Sequence, residues 1–516
     1  MPYRQAALSI AACILVCTAS WAQIIPKSPS AFQVPSGTGA CSLEKSCADL
    51  APYMIRSALG PSSLPDNLRH LTNDIGGRLT GSAANERAVA WAVDAFHRAG
   101  IADVKTESFT LPVTWSEGAT RLTLLTSSPF SVRLVSVGWS PATPAGGITA
   151  NIIDVGPGDA SGFATAGPLA RGSIVFVHQK LMQSVDDLLG EYTDQPAIID
   201  RAASAGAAAI LWMSDRPGLL LYRHTSTPGS GTLEKLPQAI VARDAAEKIA
   251  QLLALGRSLR ATLDMPNRIS GPTTVSNVVA EIRGRENPDE FVVLGAHLDS
   301  WDLGTGALDN AAGDAVVIDS ARVIHSSGSL PRCSIRFVLF NGEEQVFLGS
   351  RAYIQAHYSE LDKMVAAVVF DSGDGAVTGY SVCGRKDAIP ALRDALDPLK
   401  SLGITGFSTD AAVETDNFDF LLEGIPTFLP NQDMANYLPS YHASSDTLDK
   451  VNVSNLKKQS AIAAITAYAI ADSPRRIAAR QSRAEVEQLL HETGLDQQMQ
   501  LEGFWPDWQN HRRGRQ

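Results

Sequence analysis

Five short segments of this chain carry side chains able to bind a metal ion or move a proton. They are Gly295-Ala296-His297-Leu298-Asp299-Ser300, Gly306-Ala307-Leu308-Asp309-Asn310-Ala311-Ala312-Gly313, Asn341-Gly342-Glu343-Glu344, Asp371-Ser372-Gly373 and Tyr441-His442-Ala443-Ser444-Ser445-Asp446-Thr447. Zinc takes imidazole nitrogen and carboxylate oxygen, about four ligands per ion. Two histidines plus Asp309, Glu344 and Asp371 supply enough donors for two ions if one carboxylate bridges them, with coordination left open for substrate. Such a pair polarises a carbonyl and activates water. Of the adjacent acids Glu343 and Glu344, one ligates while the other faces the water as general base. Asp299, two residues beyond His297, is placed to orient that imidazole. Taken singly, each segment has a plainer reading: a surface loop for His297-Leu298-Asp299, a solvated helix start for Glu343-Glu344, a helix N-cap for Asp309. Their occurrence in order, at strand ends of one α/β unit, points to one site.

The elements that must hold them are legible around them. Apolar runs at Phe291–Ala296, Ile335–Phe340 and Val365–Phe370 read as buried strands. Helical stretches Gly313–His325 and Leu348–His357 lie between them, and a last long helix spans Val453–Ala471. Strands alternating with helices predict a mixed, mostly parallel sheet covered by helices on both faces. In such sheets the crevice lies beyond the carboxyl ends of the strands. A helix capped by Ser82 carries Ala88, Trp91, Ala92, Ala95 and Phe96 on one face. Between 116 and 272 the texture changes to short β-rich runs separated by Gly/Pro-rich stretches, with one clear helix at Asp244–Leu255. This reads as an inserted, strand-rich domain. The organisation is thus residues 1–22 as a signal peptide, 23–115 as the first part of the catalytic domain, 116–272 as the insertion, 273–475 as the catalytic domain and 476–516 as a tail with one helical stretch at Arg483–Glu492.

Composition sets the outer limits. The 516 residues carry a formal charge of −11 and no Lys/Arg-rich run, which argues against nucleic acid as a partner. An apolar stretch from Ala6 to Val16 follows Arg4, and small residues at Ser20 and Ala22 precede Gln23, so a cleaved signal and export, periplasmic or secreted, are expected. That run is too short to span a bilayer, and no transmembrane segment is expected. Of six cysteines, four lie beyond the signal. Cys41 and Cys47 are near enough to staple the N-terminal segment, while Cys333 and Cys383 are a cross-strand pair or two buried thiols.

The combined motifs, with Gly77-Arg78-Leu79-Thr80-Gly81-Ser82 and Ser276–Ile282 upstream, resemble the co-catalytic zinc aminopeptidase and glutamate carboxypeptidase superfamily over roughly residues 65–470. The His297-to-Asp309 spacing is most similar to its plasma glutamate carboxypeptidase branch. The resemblance implies two zinc ions, one on His297, Asp309 and Asp371, the other on Asp309, Glu344 and His442, with Asp309 bridging, Glu343 as base and Asp299 holding His297. It implies a cis peptide at Asp309–Asn310, a protease-associated-like insertion, a specificity pocket formed by Asp410–Asp419 and Asn431–Tyr441, and possible homodimers. The expected activity is hydrolysis of dipeptides or short peptides with a free N-terminus. Alternatives are an aminopeptidase on longer peptides, a non-catalytic binding module that has lost its ligands, and a one-zinc glutaminyl cyclase.

Overall fold

The apolar runs form the centre of an eight-stranded sheet in a computed structural model that describes residues 46–516, except positions 129, 131, 219, 226–231 and 435. The signal expected over 1–22 and Cys41 lie outside the described residues. The strand order is Asp103–Leu111, Thr273–Ile282, Cys333–Phe340, Asn287–His297, Met364–Val369, Thr427–Gln432, Val377–Ser381 and Gly406–Ser408. The Asn287–His297 strand runs parallel to both neighbours, and Met364–Val369 parallel to Thr427–Gln432, whereas the outer strands include antiparallel pairings. The sheet is therefore mixed with a parallel centre, as expected for strands joined by covering helices.

Period-two alternation divides those strands between two cores. Val292, Leu294 and Ala296, with Ile335, Phe337 and Leu339, face the cluster made with helices Ala312–Ser326 and Val453–Asp472. Phe291 and Val293, with Val338 and Phe340, face the opposite cluster around Tyr353 and Leu361. Truncating a fully buried ring such as Phe337 would cost about 3–5 kcal/mol through lost transfer energy and the cavity left behind. This rigid centre sets the register that matters. His297 lies opposite Phe340, and Gly295 opposite Val369. The segments that follow all three strands therefore emerge along one edge.

A second sheet of seven strands spans residues 121–264, in the order Arg121–Leu124, Arg260–Asp264, Ile148–Asp154, Ile174–Val177, Ala209–Met213, Gln238–Val241, Leu134–Ser136. It has an apolar core on each face. The chain enters and leaves this region as a paired ribbon, Thr114–Ser116 against Arg268–Ser270. Its helices number more than the one expected: besides Arg243–Ala254 there are Ala160–Ala166 and Val185–Ala205. The latter contains Gly190 and Pro196, residues that conceal a helix from a propensity reading. The tail likewise holds three helices, Arg483–Thr493, Leu495–Leu501 and Trp505–Gln509. Cys333 and Cys383 are separate buried thiols, the first beside Glu290 and the second accepting from Asn417. Among the described residues no helix is long and apolar enough to cross a membrane.

Candidate metal centre

The strand-end segments converge into two overlapping groups, His297–Asp309–Asp371 and Asp309–Glu344–His442, with ligand atoms in each within 4.8 Å of one another. Asp309 belongs to both and divides its oxygens between them. Its Oδ1 lies 3.0 Å from His297 Nε2, and its Oδ2 lies 3.3 Å from His442 Nε2. His297 Nε2 also lies 3.1 Å from Asp371 Oδ1, and His442 Nε2 3.1 Å from Glu344 Oε2. Glu343 sits at the side, its Oε2 4.0 Å from His297 Nε2.

Each carboxylate is held so that one oxygen turns inward. The Thr415 hydroxyl donates to Asp371 Oδ2 at 2.5 Å, leaving Oδ1 for His297. The Trp301 amide donates to Glu344 Oε1 at 3.2 Å, leaving Oε2 for His442. The Asp309 turn is held from the backbone: Asp446 accepts from the Leu308 and Asp309 amides at 2.7 and 3.2 Å. The Asp309–Asn310 bond is cis. Asn310 then donates to the Phe370 carbonyl and accepts from the Gly313 amide, both at 2.9 Å. Gly313 permits this approach, since a Cβ there would stand 2.3 Å from the Phe370 oxygen. Arg78, fully buried, donates to the carbonyls of Leu298, Thr305 and Gly306, which ties the loop before Asp309 to the His297 strand.

Asp299 stands at a busier junction than an orienting contact alone. Its carboxylate accepts from the Thr80 hydroxyl at 2.6 Å and from the Glu343 and Glu344 amides, each at 3.3 Å. His297 Nδ1 lies 3.7 Å from that carboxylate and 3.1 Å from the Asp299 carbonyl oxygen. Asp299 therefore joins the imidazole to the turn that carries both glutamates. Asp446 and Arg78 received no individual role from the sequence, and Thr415 only a place in the expected pocket segment Asp410–Asp419. Asp446 had a signal, its fixed distance after His442, but its contact with the Asp309 turn joins residues 137 positions apart.

The electrostatics call for cations. Burial pushes the Glu343 carboxyl well above its ordinary range, with Asp371 and Glu344 adding to the effect against His297. Burial pushes Glu344 up to about 7. Despite burial, Glu344 and Asp309 hold His442 up at about 9, and Asp371 and Glu343 hold His297 well above an ordinary imidazole. Two buried carboxylate oxygens facing the centre, Asp309 Oδ2 and Glu344 Oε2, have no hydrogen-bond donor. Four acids, Asp309, Glu343, Glu344 and Asp371, around two imidazoles leave buried negative charge in excess, which is unfavourable without a cation. The donor set is imidazole and carboxylate, as zinc takes. Two ligands about 2.0–2.1 Å from a tetrahedral ion stand roughly 3.3 Å apart, close to the 3.0–3.3 Å measured within each group. The residues fit a metal pair.

A cavity of about 640 Å³ opens onto this centre. Its walls come from the 410–415 segment, Met434, Tyr437 and Tyr441, from the Val185–Ala205 helix of the second sheet, and from Glu502 and Phe504 of the tail. Among the described residues its lining includes Asp410, Glu414 and Glu502 and no lysine or arginine.

The chain is similar to proteins named as peptidases. Residues 277–467 match the model of peptidase family M28. The chain is 27% identical over 431 residues to carboxypeptidase Q of Homo sapiens, spanning 83% of this chain and 90% of that protein. It is 24% identical over 445 residues to aminopeptidase YwaD of Bacillus subtilis (strain 168), covering 81% and 88% of the two. Among solved structures, a peptidase M28 precursor from Shewanella amazonensis SB2B superposes with a TM-score of 0.76 at 28% identity, covering 84% of this chain and 99% of that one.

Proposed function

We propose that this metallopeptidase, whose residues 277–467 match peptidase family M28, is an exported two-zinc exopeptidase that cleaves dipeptides or short peptides at a free N-terminus. His297, Asp309 and Asp371 would hold one ion and Asp309, Glu344 and His442 the other. The observation that carries the reading is the division of Asp309, one oxygen toward each histidine. When bound, the ions polarise the scissile carbonyl and lower the pKa of water.

The remaining work falls to the chain. Glu343, buried and raised in basicity by its surroundings, takes the proton of the attacking water and returns it to the leaving amine. Asp299 keeps that glutamate in place through its amide and steadies His297. The cavity supports an exopeptidase over a protease acting on folded chains, because it is walled on several sides and of a size suited to a short peptide. Its carboxylates, without a lysine or arginine among the described lining residues, favour an entering ammonium group over a carboxylate. The second sheet, read as a protease-associated-like element, contributes the Val185–Ala205 helix to the cleft. Cleavage of longer peptides by the same centre is the alternative.

The test is a panel of dipeptides and tripeptides, free and N-acetylated, on the zinc-loaded protein and on Glu343→Gln. Free dipeptides should be cleaved fastest and acetylated ones hardly at all. The variant should lose turnover by about 10²–10⁴-fold with its zinc content intact. Equal cleavage of acetylated substrates, or full turnover by the variant, refutes the reading.

A further inference from the structure

Residues 476–516 lie beyond the family match, which ends at 467, yet they build part of the catalytic cavity. Phe504 lines it and stacks on Phe347, with ring centroids 6.3 Å apart at 26°. Phe347 closes the turn that starts at Glu343, donating its amide to the Glu343 carbonyl at 3.0 Å. The tail ring therefore rests on the segment that carries the proposed base. A second tail residue holds the neighbouring Val413 segment. Gln498 accepts from the Val413 amide at 3.1 Å and donates to the Val413 carbonyl at 3.2 Å. Two residues further on, Thr415 donates to Asp371.

The tail is anchored firmly enough to act as a wall. Arg513 donates to both oxygens of Asp419 at 2.7 and 2.8 Å, with both side chains buried. Its guanidinium lies 5.1 Å from the centre of the Phe418 ring and 5.0 Å from that of Phe504. Phe347, Val413 and Phe504 share one apolar cluster with Leu490, Met499 and Trp508 of the tail, and Val346 and Leu429 pack against it. Val346, Phe347, Val413, Leu429 and Phe504 all line the cavity. The cleft thus has an apolar lining, built jointly by the tail and the Glu343–Phe347 turn, interspersed with the carboxylates of Asp371, Asp410, Glu414 and Glu502.

We infer that the tail is a specificity element: Phe504, seated on Phe347 beside Val413, forms the apolar surface that takes the side chain of the substrate's amino-terminal residue. The preferred substrates then begin with a large aliphatic or aromatic residue, not with glycine or alanine. This rests on the reading that a peptide is held by its free amino end beside the metal pair. Carboxylates for the ammonium and an apolar surface for the adjacent side chain, both present in the cleft lining, are what such a residue requires.

The experiment compares full-length, zinc-loaded wild type, Phe504→Ala and Phe504→Leu in two ways. The first is kcat/KM for leucyl-glycine and alanyl-glycine, and the second is calorimetric binding of leucinamide and alaninamide. Wild type should favour the leucyl compounds by at least ~10-fold, the scale set by a few methylenes in an apolar pocket. Phe504→Ala should reduce that ratio to about threefold or less, mainly through KM, with zinc content unchanged. Phe504→Leu, which keeps the cluster filled, should fall between them and serves alone if the alanine variant does not fold. Leucyl and alanyl compounds weakened by the same factor in both variants, or no preference in wild type, overturns the inference. Selective binding of leucinamide that depends on Phe504, without cleavage of any peptide, would uphold the tail's role and defeat the peptidase reading.

Discussion

Asp446 meets Asp309 through the backbone. Its two oxygens collect the amides of Leu308 and Asp309, so the carboxylate shared by the two groups is aimed by an acid four residues past His442. Outer partners of this kind set ligand orientation and basicity. Asp446→Asn preserves the shape but removes the charge and leaves one oxygen for two amides. Zinc affinity should fall by about 10–100-fold, measured by titration against a competing chelator, and an unaltered affinity would remove Asp446 from the account. Loss of a direct ligand should look different. His442→Ala or Asp371→Ala should lower bound zinc by about one ion per chain, because each lies in only one of the two groups. Unchanged stoichiometry in either variant would contradict the assignment.

At the level of elements, the Val185–Ala205 helix couples the second sheet to the centre. Ser184 caps it by accepting from the Asp187 amide, and Asp186 and Asp187 sit favourably in its first turn. From its inner face Glu191 and Gln195 grip the two ring nitrogens of His224 at 3.0 and 2.7 Å. Next to Glu191, the Tyr192 hydroxyl reaches that of Tyr441 at 2.9 Å and His442 Nδ1 at 3.5 Å. Burial opposes ionisation of Glu191, but His224 and then Arg216 outweigh it and bring its carboxyl down to about 2 from an ordinary 4.5. A depressed carboxyl stabilises the fold above its unfolded pKa, and the contribution is lost as pH falls from about 4.5 toward 2. Glu191→Gln should therefore lower stability at pH 7 by on the order of 3 kcal/mol, since it removes a buried carboxylate that faces the buried Arg216 guanidinium. The gap from wild type should close as the pH is taken below 4 in urea melts. A gap that stays constant with pH would show that the pair contributes no charge-dependent stability.

The molecule as a whole gathers several buried carboxyls at one edge of its main sheet, and its stability is expected to depend on metal. Glu343, Glu344 and Asp446 are all pushed up by burial, a cost that bound cations relieve. A ligand that binds only the folded state stabilises by about 2.7 kcal/mol at one hundred times its Kd. Zinc removal by a chelator should lower the melting temperature, and zinc should restore it in a concentration-dependent way. Magnesium, which prefers octahedral oxygen coordination, should restore little. A melting curve indifferent to zinc would count against a metal pair within the fold.

Residue type and local period settled the parallel centre of the sheet, because an apolar run between turn signals reads as a buried strand wherever it sits. The Asn287–His297, Cys333–Phe340 and Met364–Val369 strands and the Ala312–Ser326 and Val453–Asp472 helices lie within a residue or a few of where periodicity put them. The candidate donors were equally legible, since His297, Asp309, Glu344, Asp371 and His442 are of types that can ligate a metal and the fold gathers them into two groups. Partnership was not local. Which oxygen of Asp309 faces which histidine, how Asp446 and Thr415 aim their neighbours, and why Asp299 serves two masters depend on contacts between segments tens to more than a hundred residues apart. The Val185–Ala205 helix was hidden by Gly190 and Pro196, whose unfavourable propensities are overridden by packing against the second sheet. The tail was opaque because its apolar residues, among them Leu490, Met499, Phe504 and Trp508, complete their cluster with Phe347, Val413 and Phe418 from distant segments, so their place in the cleft was decided by the fold.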